Sequence, residues 1–445
     1  MTDSPNSGRL PLAIPDPRVS DRVQRFPESV IREMTRIADV HGAVNLAQGF
    51  PDFDPPEEVR QAAMEAIRTG GNQYSVTWGT PGLRQAIARK ARRFNRIEAD
   101  PDKNVVVTCG ATEAMMAAML SLVDPGDEVI VTEPFYENYG PDAIVTGARA
   151  RTVPLDWPDW HLDEERLKKA FTAKTKAVVV NTPNNPTGRV FSKAELALLA
   201  DMCEDYDAVA ITDEIYEHIV FDGRRHISLA SLPGMAERTI TIDGISKTYS
   251  ATGWRVGWAI APTTLASAMR RAHDFLTVCA PHAFQVAAEV ALGLPESYYT
   301  DLARNYQRKR DRFVAELQRQ GLGCSPPEGA YYVMADISKF PFEDDWAFAM
   351  ALIERCGVAC VPGSSFFARR EDGQKFVRFV FAKSDETLDQ AIERLSGLDA
   401  LTEKSMRATL PRSSGRRAKR RAQERSRRKG LPRSKRAETR AHRVP

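Results

Sequence analysis

Short apolar strands alternate with amphipathic helices through the middle of this 445-residue chain. The pattern predicts strands over 104–108, 128–132, 176–180 and 208–212, and helices over 110–122 and 193–206. Alternation at this spacing is typical of an α/β fold with a doubly wound, mostly parallel sheet. In such sheets the ligand-binding groups lie at the carboxyl ends of the strands. Functional side chains are therefore expected directly after the predicted strands.

Both flanks of this region have a different pattern. Helices are predicted over 28–40 and 56–69, a long charged helix over 301–319, short strands over 330–334, 358–361 and 376–381, and a final helix over 385–395. This mixture predicts a smaller α+β domain built from both ends of the body. The expected organisation is a flexible arm at 1–20, a large domain at 56–290, and a small domain formed by 21–55 and 291–403.

The charge of the chain is unevenly distributed. Residues 404–445 carry 17 Lys and Arg against 2 Asp and Glu, a net of +15, which leaves −12 on residues 1–403 of a chain whose formal charge is +3. The tail is almost without large apolar groups, so we expect it to be disordered. It could bind nucleic acid by neutralising phosphates, or it could be a solvated extension without a role. The sequence leaves both readings open.

The amino-acid composition argues against a membrane-spanning protein and against a metal site. With 42% hydrophobic and 27% charged residues, the chain has the composition of an ordinary globular protein. It contains no apolar run approaching the ~18 residues that span a bilayer, and its N-terminus is polar. The six cysteines form no CxxC pair and the seven histidines no HExxH motif, so no metal site is expected. Reduced thiols and a cytoplasmic location are the simplest interpretation.

One lysine stands in unusual surroundings. Lys247 follows a predicted strand at 239–243, and small and aromatic residues flank it rather than other charges. Removing a lysine from water lowers its pKa, because the charged form loses solvation. A neutral amine on a fixed stem is what a Schiff-base nucleophile requires. The alternative is an ordinary surface lysine on a loop, and Lys247 alone does not decide between the two.

Eight motifs, which follow one another in a fixed order along the chain, decide between these two interpretations of Lys247. They read NLAQGFPDF, NQYSVTWGTPGLRQA, GATEA, EPFYENY, NTPNNPTG, TDEIYEH, SKTYSATGWRVGW and FVRFVFA. Together they resemble the class I and II aminotransferases, enzymes of fold type I that use pyridoxal 5′-phosphate (PLP), and most of all the kynurenine and glutamine aminotransferases with their bacterial relatives. The resemblance covers about residues 25–400. It implies a large domain with a mixed, mostly parallel sheet and a smaller α+β domain.

The resemblance also assigns roles around the PLP ring. Lys247 would hold PLP as an internal aldimine and then move the proton between the substrate Cα and C4′. Asp213 would pair with the ring nitrogen, although an Asp after a strand is commonly a helix N-cap. Tyr216 and Asn185 would donate to the 3′-oxygen, although NNPTG by itself also suits a turn. Tyr136 would stack on the ring, where an isolated aromatic more often packs a core.

A phosphate needs backbone N–H groups and cations. At a strand-to-helix junction both are available, and the resemblance implies a cradle made of Gly110, Ala111, Thr112, Ser246 and Arg255. The family usually has a hydroxyl residue three positions before the lysine, and here that position is Gly244. One phosphate contact is therefore expected to be missing or supplied by water.

The remaining implied roles concern the substrate and a second subunit. Arg378 would clamp the α-carboxylate, with the Gly49 amide and Asn185 as further contacts, although an Arg in a strand is more often a surface residue. Tyr74 resembles the residue that reaches the phosphate of the partner subunit, which implies a homodimer.

The predicted function is a ping-pong transamination from an L-amino acid to a 2-oxo acid. Aromatic residues at Phe50, Trp78 and Tyr136 favour an aromatic or large hydrophobic donor, but such residues also pack cores. The predicted donor is an aromatic, glutamine-like or methionine-like amino acid, and kynurenine, glutamine, methionine and phenylalanine all stay open. One alternative is a cysteine-S-conjugate β-lyase of the same fold, which would use the same Lys247 and Asp213. Another is an aminotransferase-like body whose basic tail binds nucleic acid.

Overall fold

The computed structural model describes residues 16–26 and 28–401, with the backbone alone at 399–400. The helices are α1 Asp21–Gln24, α2 Val30–His41, α3 Glu57–Thr69, α4 Pro81–Lys90, α5 Ala111–Leu122, α6 Tyr139–Thr146, α7 Glu164–Ala170, α8 Lys193–Asp205, α9 Ile245–Thr248, α10 Thr263–Leu276, α11 His282–Leu292, α12 Glu296–Arg319, α13 Asp345–Ala351, α14 Arg370–Gly373 and α15 Asp385–Leu395. The strands are β1 Val44–Asn45, β2 Val105–Thr108, β3 Glu128–Glu133, β4 Arg149–Asp156, β5 His161–Leu162, β6 Thr175–Asn181, β7 Val209–Asp213, β8 Thr239–Gly244, β9 Gly257–Ile260, β10 Tyr332–Asp336, β11 Val358–Ala359, β12 Val361–Pro362 and β13 Phe376–Val380. The basic tail and most of the predicted N-terminal arm lie outside the described residues.

An eight-stranded sheet forms the centre of the fold, in the order β2-β9-β8-β7-β6-β3-β4-β5. Strand β9 runs antiparallel to β2 and β8, β5 runs antiparallel to β4, and the remaining neighbours are parallel. The strands β2, β3 and β8 are buried along their whole length, as expected for strands covered on both faces. The predicted mixed, mostly parallel α/β sheet is confirmed.

The register of the central strands determines where the polar residues lie. Asn181 at the end of β6 is the partner of Asp213 at the end of β7, and Asp213 in turn is the partner of Ile242 on β8. Lys247 follows on α9, directly after β8. These groups therefore come together at one edge of the sheet, where parallel strands end.

The two ends of the chain share smaller sheets. Strand β1 pairs in parallel with β11, and β13 lies between β10 and β12 in an antiparallel sheet. Arg378 occupies the middle of β13, opposite Met334 and Val361. This pairing brings the Arg378 side chain to the loop at 46–49, near the other end of the chain, where it donates to the Ala47 carbonyl.

The structure adds elements that the sequence patterns did not predict. They include α1, the short strands β1 and β5, helices α6, α7, α9, α13 and α14, strands β4 and β9, and most of α10. The predicted strand over 330–334 lies two residues later, and the one over 358–361 is two short strands separated by Cys360. In the described part of the chain, no helix is both long and apolar enough to cross a membrane. All six cysteines are free thiols.

Candidate active site

A cavity lies at the carboxyl edge of β6, β7 and β8 and reaches β13. Most residues singled out from the sequence line it: Gly49, Ala111, Thr112, Tyr136, Asn185, Asp213, Tyr216, Ser246, Lys247, Arg255 and Arg378. Gly110 directly precedes α5, whose first residues form one wall. Tyr74, Phe50 and Trp78 do not line this cavity, and Tyr74 is 83% exposed in the single chain.

Lys247 is held at the centre of the cavity wall. Its Nζ donates a hydrogen bond to the Gly49 carbonyl at 3.1 Å and lies 5.9 Å from the centre of the Tyr216 ring. Burial lowers the pKa of Lys247 to about 8; Asp213 opposes this shift, while the positive charges of Arg255 and Arg378 add to it. The amine is therefore partly neutral near pH 8, as the sequence reasoning required.

Asp213 ends β7, and its carboxylate accepts two hydrogen bonds at the cavity. Tyr139 donates a hydrogen bond to Oδ2 at 2.7 Å, and the Ile215 N–H donates to Oδ1 at 3.4 Å. Burial raises the pKa of Asp213 to about 6, although both hydrogen bonds and the charge of Lys247 act in the opposite direction. The side chain of Asn181 donates to the Asp213 carbonyl at 2.9 Å and so fixes the end of the strand.

The start of α5 offers an anion cradle. The N–H groups of Ala111 and Thr112 have no acceptor among residues 16–26 and 28–401, as expected in the first turn of a helix. The Arg255 guanidinium lies over Gly110, so a Cβ at Gly110 would clash with it. Arg255 donates to the Thr252 carbonyl at 2.9 Å and has a left-handed φ of 54°, a conformation that costs an L-residue about 1 kcal/mol.

A glycine stands at position 244 because there is no space for a side chain. A Cβ at this position would lie 2.9 Å from both the Gly257 Cα and the Val256 carbonyl oxygen, because β8 and β9 approach closely here. Ser246 lies two residues further on at the cavity, and no partner for its hydroxyl is found in the described chain. The position where the family usually has a hydroxyl residue is therefore closed to a side chain unless the two strands move apart.

Arg378 is fully buried and lines the same cavity as Lys247 and Gly49. Its Nη1 donates to Asn185 Oδ1 at 2.9 Å and its Nη2 to the Ala47 carbonyl at 2.6 Å, whereas the buried Nε has no partner among the described residues. The guanidinium also lies 4.5 Å from the centre of the Tyr332 ring. A fixed, buried guanidinium at a cavity is suited to binding a carboxylate.

Aromatic rings complete the wall. Tyr136 meets Tyr139 edge to face, with ring centres 5.9 Å apart. The hydroxyl groups of Tyr216 and Tyr332 share a hydrogen bond of 2.7 Å, and a Cβ at Gly49 would overlap the Tyr332 hydroxyl. Gly49 thus allows the loop to approach the ring closely.

Several lining residues escaped the sequence analysis. They are Ser29, Ile31, Arg32, Gln48, Met115, Glu137, Asn138, Tyr139, Asp142, Asn181, Ile215, Thr252 and Tyr332. Glu137, Tyr139 and Asn181 lie within quoted motifs, so their position in those motifs was an available signal. Glu137 accepts hydrogen bonds from the Ser29 hydroxyl at 2.7 Å and the Ile31 N–H at 3.3 Å, and burial raises its pKa. It thereby joins the start of α2 to the cavity.

A second cluster of charges lies behind Asp213, away from the cavity wall. Glu214, Glu217 and His226 place ligand-type atoms within 4.8 Å of one another. Each already has a partner: His226 Nε2 lies 2.7 Å from Glu214, and Lys90 forms an ion pair with Glu217. The cluster is an internal charge network, in which Lys90 also pairs with Asp243 at 2.8 Å.

The donors at the cavity fit pyridoxal phosphate. Unpaired N–H groups and a guanidinium suit a phosphate dianion, and a buried carboxylate suits a protonated ring nitrogen. The amine of Lys247, with its lowered pKa, suits an aldehyde. The shape of the cavity also fits, because glycine occupies the two positions where a Cβ would overlap Arg255 or Tyr332.

Comparison with known proteins gives a consistent result. The family described as Aminotransferase class I and II matches residues 41–395. The chain is 43% identical to the probable N-succinyldiaminopimelate aminotransferase DapC of Mycobacterium tuberculosis over 387 residues, which cover 85% of this chain and 98% of that protein. The solved structure of N-succinyldiaminopimelate aminotransferase from the same organism superposes with a TM-score of 0.83 at 43% identity, covering 85% of this chain and 100% of the other.

Two further relatives carry other names. Human kynurenine–oxoglutarate transaminase 1 is 38% identical and covers 82% of this chain and 94% of its own length. The methionine aminotransferase of Escherichia coli is 35% identical, covering 85% of this chain and 97% of its own length. The chain therefore belongs to the class I and II aminotransferases and is a pyridoxal phosphate-dependent enzyme that transfers amino groups of amino acids.

Proposed function

We propose that this enzyme moves the amino group of an aromatic, glutamine-like or methionine-like L-amino acid to a 2-oxo acid by a ping-pong mechanism, as a cytoplasmic homodimer. The observation that carries the proposal is the convergence of three groups on one cavity: the Lys247 amine, the Asp213 carboxylate and the Arg378 guanidinium. Free thiols at all six cysteines accord with the cytoplasmic part of the proposal.

Each part of the cofactor has a proposed partner. The N–H groups following Gly110, together with Thr112, Ser246 and Arg255, bind the phosphate. Asp213 binds the ring nitrogen, Tyr216 and Asn185 bind the 3′-oxygen, and Tyr136 stacks on the ring. When bound, pyridoxal phosphate supplies an electron sink for the negative charge that develops at the substrate Cα.

The proposed proton carrier is Lys247. Its amine would accept the proton that leaves the substrate Cα and would deliver a proton to C4′ of the bound cofactor. A general base works best when its pKa lies near the working pH, and a pKa of about 8 meets this condition. Tyr139 keeps Asp213 ionised by donating to its carboxylate, which favours a protonated ring nitrogen.

Arg378 orients the substrate. Its carboxylate contact fixes the amino acid so that the Cα–H bond faces Lys247. The Gly49 N–H has no acceptor within the described ranges, and neither has the side-chain NH2 of Asn185, so both are available as further donors to the carboxylate. Contact of the carboxylate with Arg378, Gly49 and Asn185 holds the substrate in one orientation, so that a misaligned substrate does not reach Lys247.

The homodimer is supported by an exposed apolar surface. Tyr74 and Val76 on one loop, with Phe275, Leu276 and Val278 at the end of α10, are exposed in the single chain, Phe275 to 92%. The His273 ring joins the loop to the helix by bonding the Thr77 carbonyl at 2.8 Å. Burial of such a surface against a second copy would bring Tyr74 to the phosphate of the partner subunit.

A mixed dimer tests this arrangement. A dimer of one Lys247→Ala chain and one Tyr74→Ala chain keeps one intact site if Tyr74 acts across the interface, and none if it acts within its own chain. Recovery of up to half the wild-type activity supports the composite site, whereas no recovery contradicts it.

The substrate proposal needs a screen of donors against acceptors. Purified enzyme is assayed with kynurenine, phenylalanine, glutamine, methionine and N-succinyldiaminopimelate as donors, each with 2-oxoglutarate, pyruvate and phenylpyruvate. A cysteine S-conjugate is incubated separately without any 2-oxo acid. Selective turnover of an aromatic, glutamine-like or methionine-like donor supports the proposal. Turnover confined to N-succinyldiaminopimelate, or pyruvate release from an S-conjugate without any acceptor, contradicts it.

A further inference from the structure

His273 is completely buried between the phosphate cradle and the loop that carries Tyr74. Its Nδ1 lies 2.6 Å from Oε1 of Glu113, in the first turn of α5. Its Nε2 lies 2.8 Å from the carbonyl oxygen of Thr77. The ring therefore bridges two elements that are distant in the sequence and meet at the cradle.

Both partners of the ring are acceptors. A carbonyl oxygen carries no proton to donate, so Nε2 must carry one to form this hydrogen bond. Glu113 accepts two other hydrogen bonds, from the Cys109 N–H at 2.5 Å and from the Thr277 hydroxyl at 2.8 Å. These two donors already favour the ionised form of the carboxylate, so Nδ1 also donates to it. The geometry thus requires the doubly protonated ring.

The charges around His273 agree with this state. Burial by itself lowers the pKa of His273, but the hydrogen bond and charge of Glu113, the Thr77 carbonyl and Asp274 together raise it above the usual 6.5. For Glu113, burial raises the pKa, and His273, Cys109 and Thr277 together lower it below its usual range. The thiol of Cys109 also lies near Glu113, that of Cys279 lies near Cys109, and Arg255 donates to the Cys109 carbonyl at 3.4 Å.

Glu113 lies close to the proposed phosphate position. It follows Thr112 directly, and it holds the N–H of Cys109, the residue before Gly110. An unpaired carboxylate here would repel a phosphate dianion, since two charges in a partly buried site are weakly screened. A positive ring against Glu113 removes most of that repulsion.

The other side of the ring holds the loop in place. Thr77 is three residues from Tyr74, and its hydroxyl donates to Asp274 at 3.4 Å. Trp78, the next residue, accepts from the Val107 N–H on β2 at 3.1 Å through its carbonyl. The His273 contact is thus the link between this loop and the first turn of α5.

We propose that protonated His273 is a positioning residue for the cofactor phosphate, because it neutralises Glu113 beside the cradle and ties the cradle to the loop of Tyr74. The inference rests on the cradle proposed above. It predicts that the enzyme holds its cofactor less tightly as His273 loses its proton at higher pH.

The test compares cofactor affinity among variants of the full-length holoenzyme. Dissociation constants for pyridoxal phosphate are measured by equilibrium dialysis, with bound cofactor read by absorbance, for wild type, His273→Gln, Glu113→Gln, the double variant, and His161→Gln. His161 is a suitable control because it is also paired with carboxylates but lies exposed on β5, outside the cavity lining.

At pH 7 we expect His273→Gln to weaken binding at least 10-fold, and His161→Gln to leave it unchanged. The double variant should bind more tightly than His273→Gln alone, because Glu113→Gln removes the charge that the lost ring no longer neutralises. Purely structural damage predicts the reverse, a double variant weaker than either single one.

The pH dependence provides a second readout. At a pH below the raised pKa of His273, the ring of the wild-type enzyme is charged, whereas the variant has no charge at this position. At a pH above that pKa, the wild-type ring is neutral, so the two enzymes no longer differ in charge. The ratio of the His273→Gln constant to the wild-type constant should therefore be largest at pH 6 and fall toward one by pH 9. Taking the ratio cancels the titration of Lys247 and of the phosphate.

A ratio that does not change with pH, or a double variant weaker than both single variants, overturns the inference. If His273→Gln fails to fold, Glu113→Gln alone decides: the loss of wild-type affinity with rising pH should move to lower pH in this variant, and an unchanged profile overturns the inference. A wild-type enzyme that binds no pyridoxal phosphate at all would instead refute the proposed cradle.

Discussion

The hydroxyl of Tyr139 donates a hydrogen bond of 2.7 Å to the carboxylate of Asp213, at the carboxyl end of β7. This bond stabilises the ionised carboxylate, against the burial that raises its pKa to about 6. Tyr139 thus sets the charge of the residue proposed to bind the ring nitrogen. The hydrogen bond therefore joins the end of β7 to the first turn of α6.

Tyr139→Phe tests that relationship through pH. Loss of the hydrogen bond removes a stabiliser of the charged form, so the pKa of Asp213 rises. The acidic limb of the kcat/KM profile should move to higher pH by about one unit, while activity on the alkaline side is retained. Tyr206→Phe, on a half-exposed ring at the end of α8, is the control. An unshifted acidic limb would mean that Tyr139 does not act on Asp213.

Arg378→Lys tests carboxylate recognition. The lysine keeps the positive charge but loses the planar pair of donors, so kcat/KM for an amino acid should fall about 10- to 100-fold. The corresponding amine without a carboxylate should react as slowly with the variant as with wild type. Comparing phenylalanine with phenethylamine in both enzymes checks this. Equal losses for both compounds would show that Arg378 acts on something other than the carboxylate.

Lys90 should be important for stability rather than for chemistry. It is buried against Glu217 and Asp243, so Lys90→Met leaves two buried carboxylates without their cation. Breaking one side of a buried ion pair costs about 3–5 kcal/mol. Urea unfolding should show that loss, whereas Lys193→Met on the exposed face of α8 should change stability by less than about 0.5 kcal/mol. Equal stability of the two variants would contradict the role assigned to Lys90.

Removal of the basic tail, residues 404–445, should leave transamination intact, because the described part of the chain, which ends before the tail, supplies the Lys247, Asp213 and Arg378 groups of the cavity. The measurement is kcat/KM of the truncated enzyme beside that of the full chain. A loss of more than about threefold would show that the tail belongs to the catalytic unit.

Residues whose position follows from local chemistry were predictable from the sequence. Asp213 and Lys247 follow buried strands, and parallel strands end at one edge, so their convergence could be expected. Arg378 is different, because its place at the cavity depends on β13 pairing with β10 and β12. Its role came from the resemblance of the FVRFVFA motif to the family, not from the pattern.

Some helices and strands could not be predicted because their amino-acid composition is not typical of the structure they form. Helix α6 starts YGPD, and a Gly and a Pro in the first turn look like a loop although a first turn tolerates both. Strand β4 lies near the edge of the sheet and alternates exposed and buried residues around Pro154, so it lacks the apolar run of a central strand. Strand β9 is only four residues long and begins at a glycine.

Contacts between distant residues could not be predicted from one sequence. The Glu113–His273 pair joins positions 160 residues apart, and the Tyr216–Tyr332 hydrogen bond spans 116. Neither partner stands in a periodic pattern that points to the other. Such pairs follow only from the tertiary packing of α5 on α10 and of β10 against the cavity.

The central claim is that the Lys247 amine carries the cofactor, and borohydride reduction tests it most directly. The purified holoenzyme is reduced, digested and analysed by mass spectrometry, beside a Lys247→Ala variant with the same far-UV circular dichroism. We expect a phosphopyridoxyl group on Lys247 alone, with loss of the bound chromophore and of turnover in the variant. A protein that stays colourless with added cofactor, or a label on a different lysine, would contradict the account.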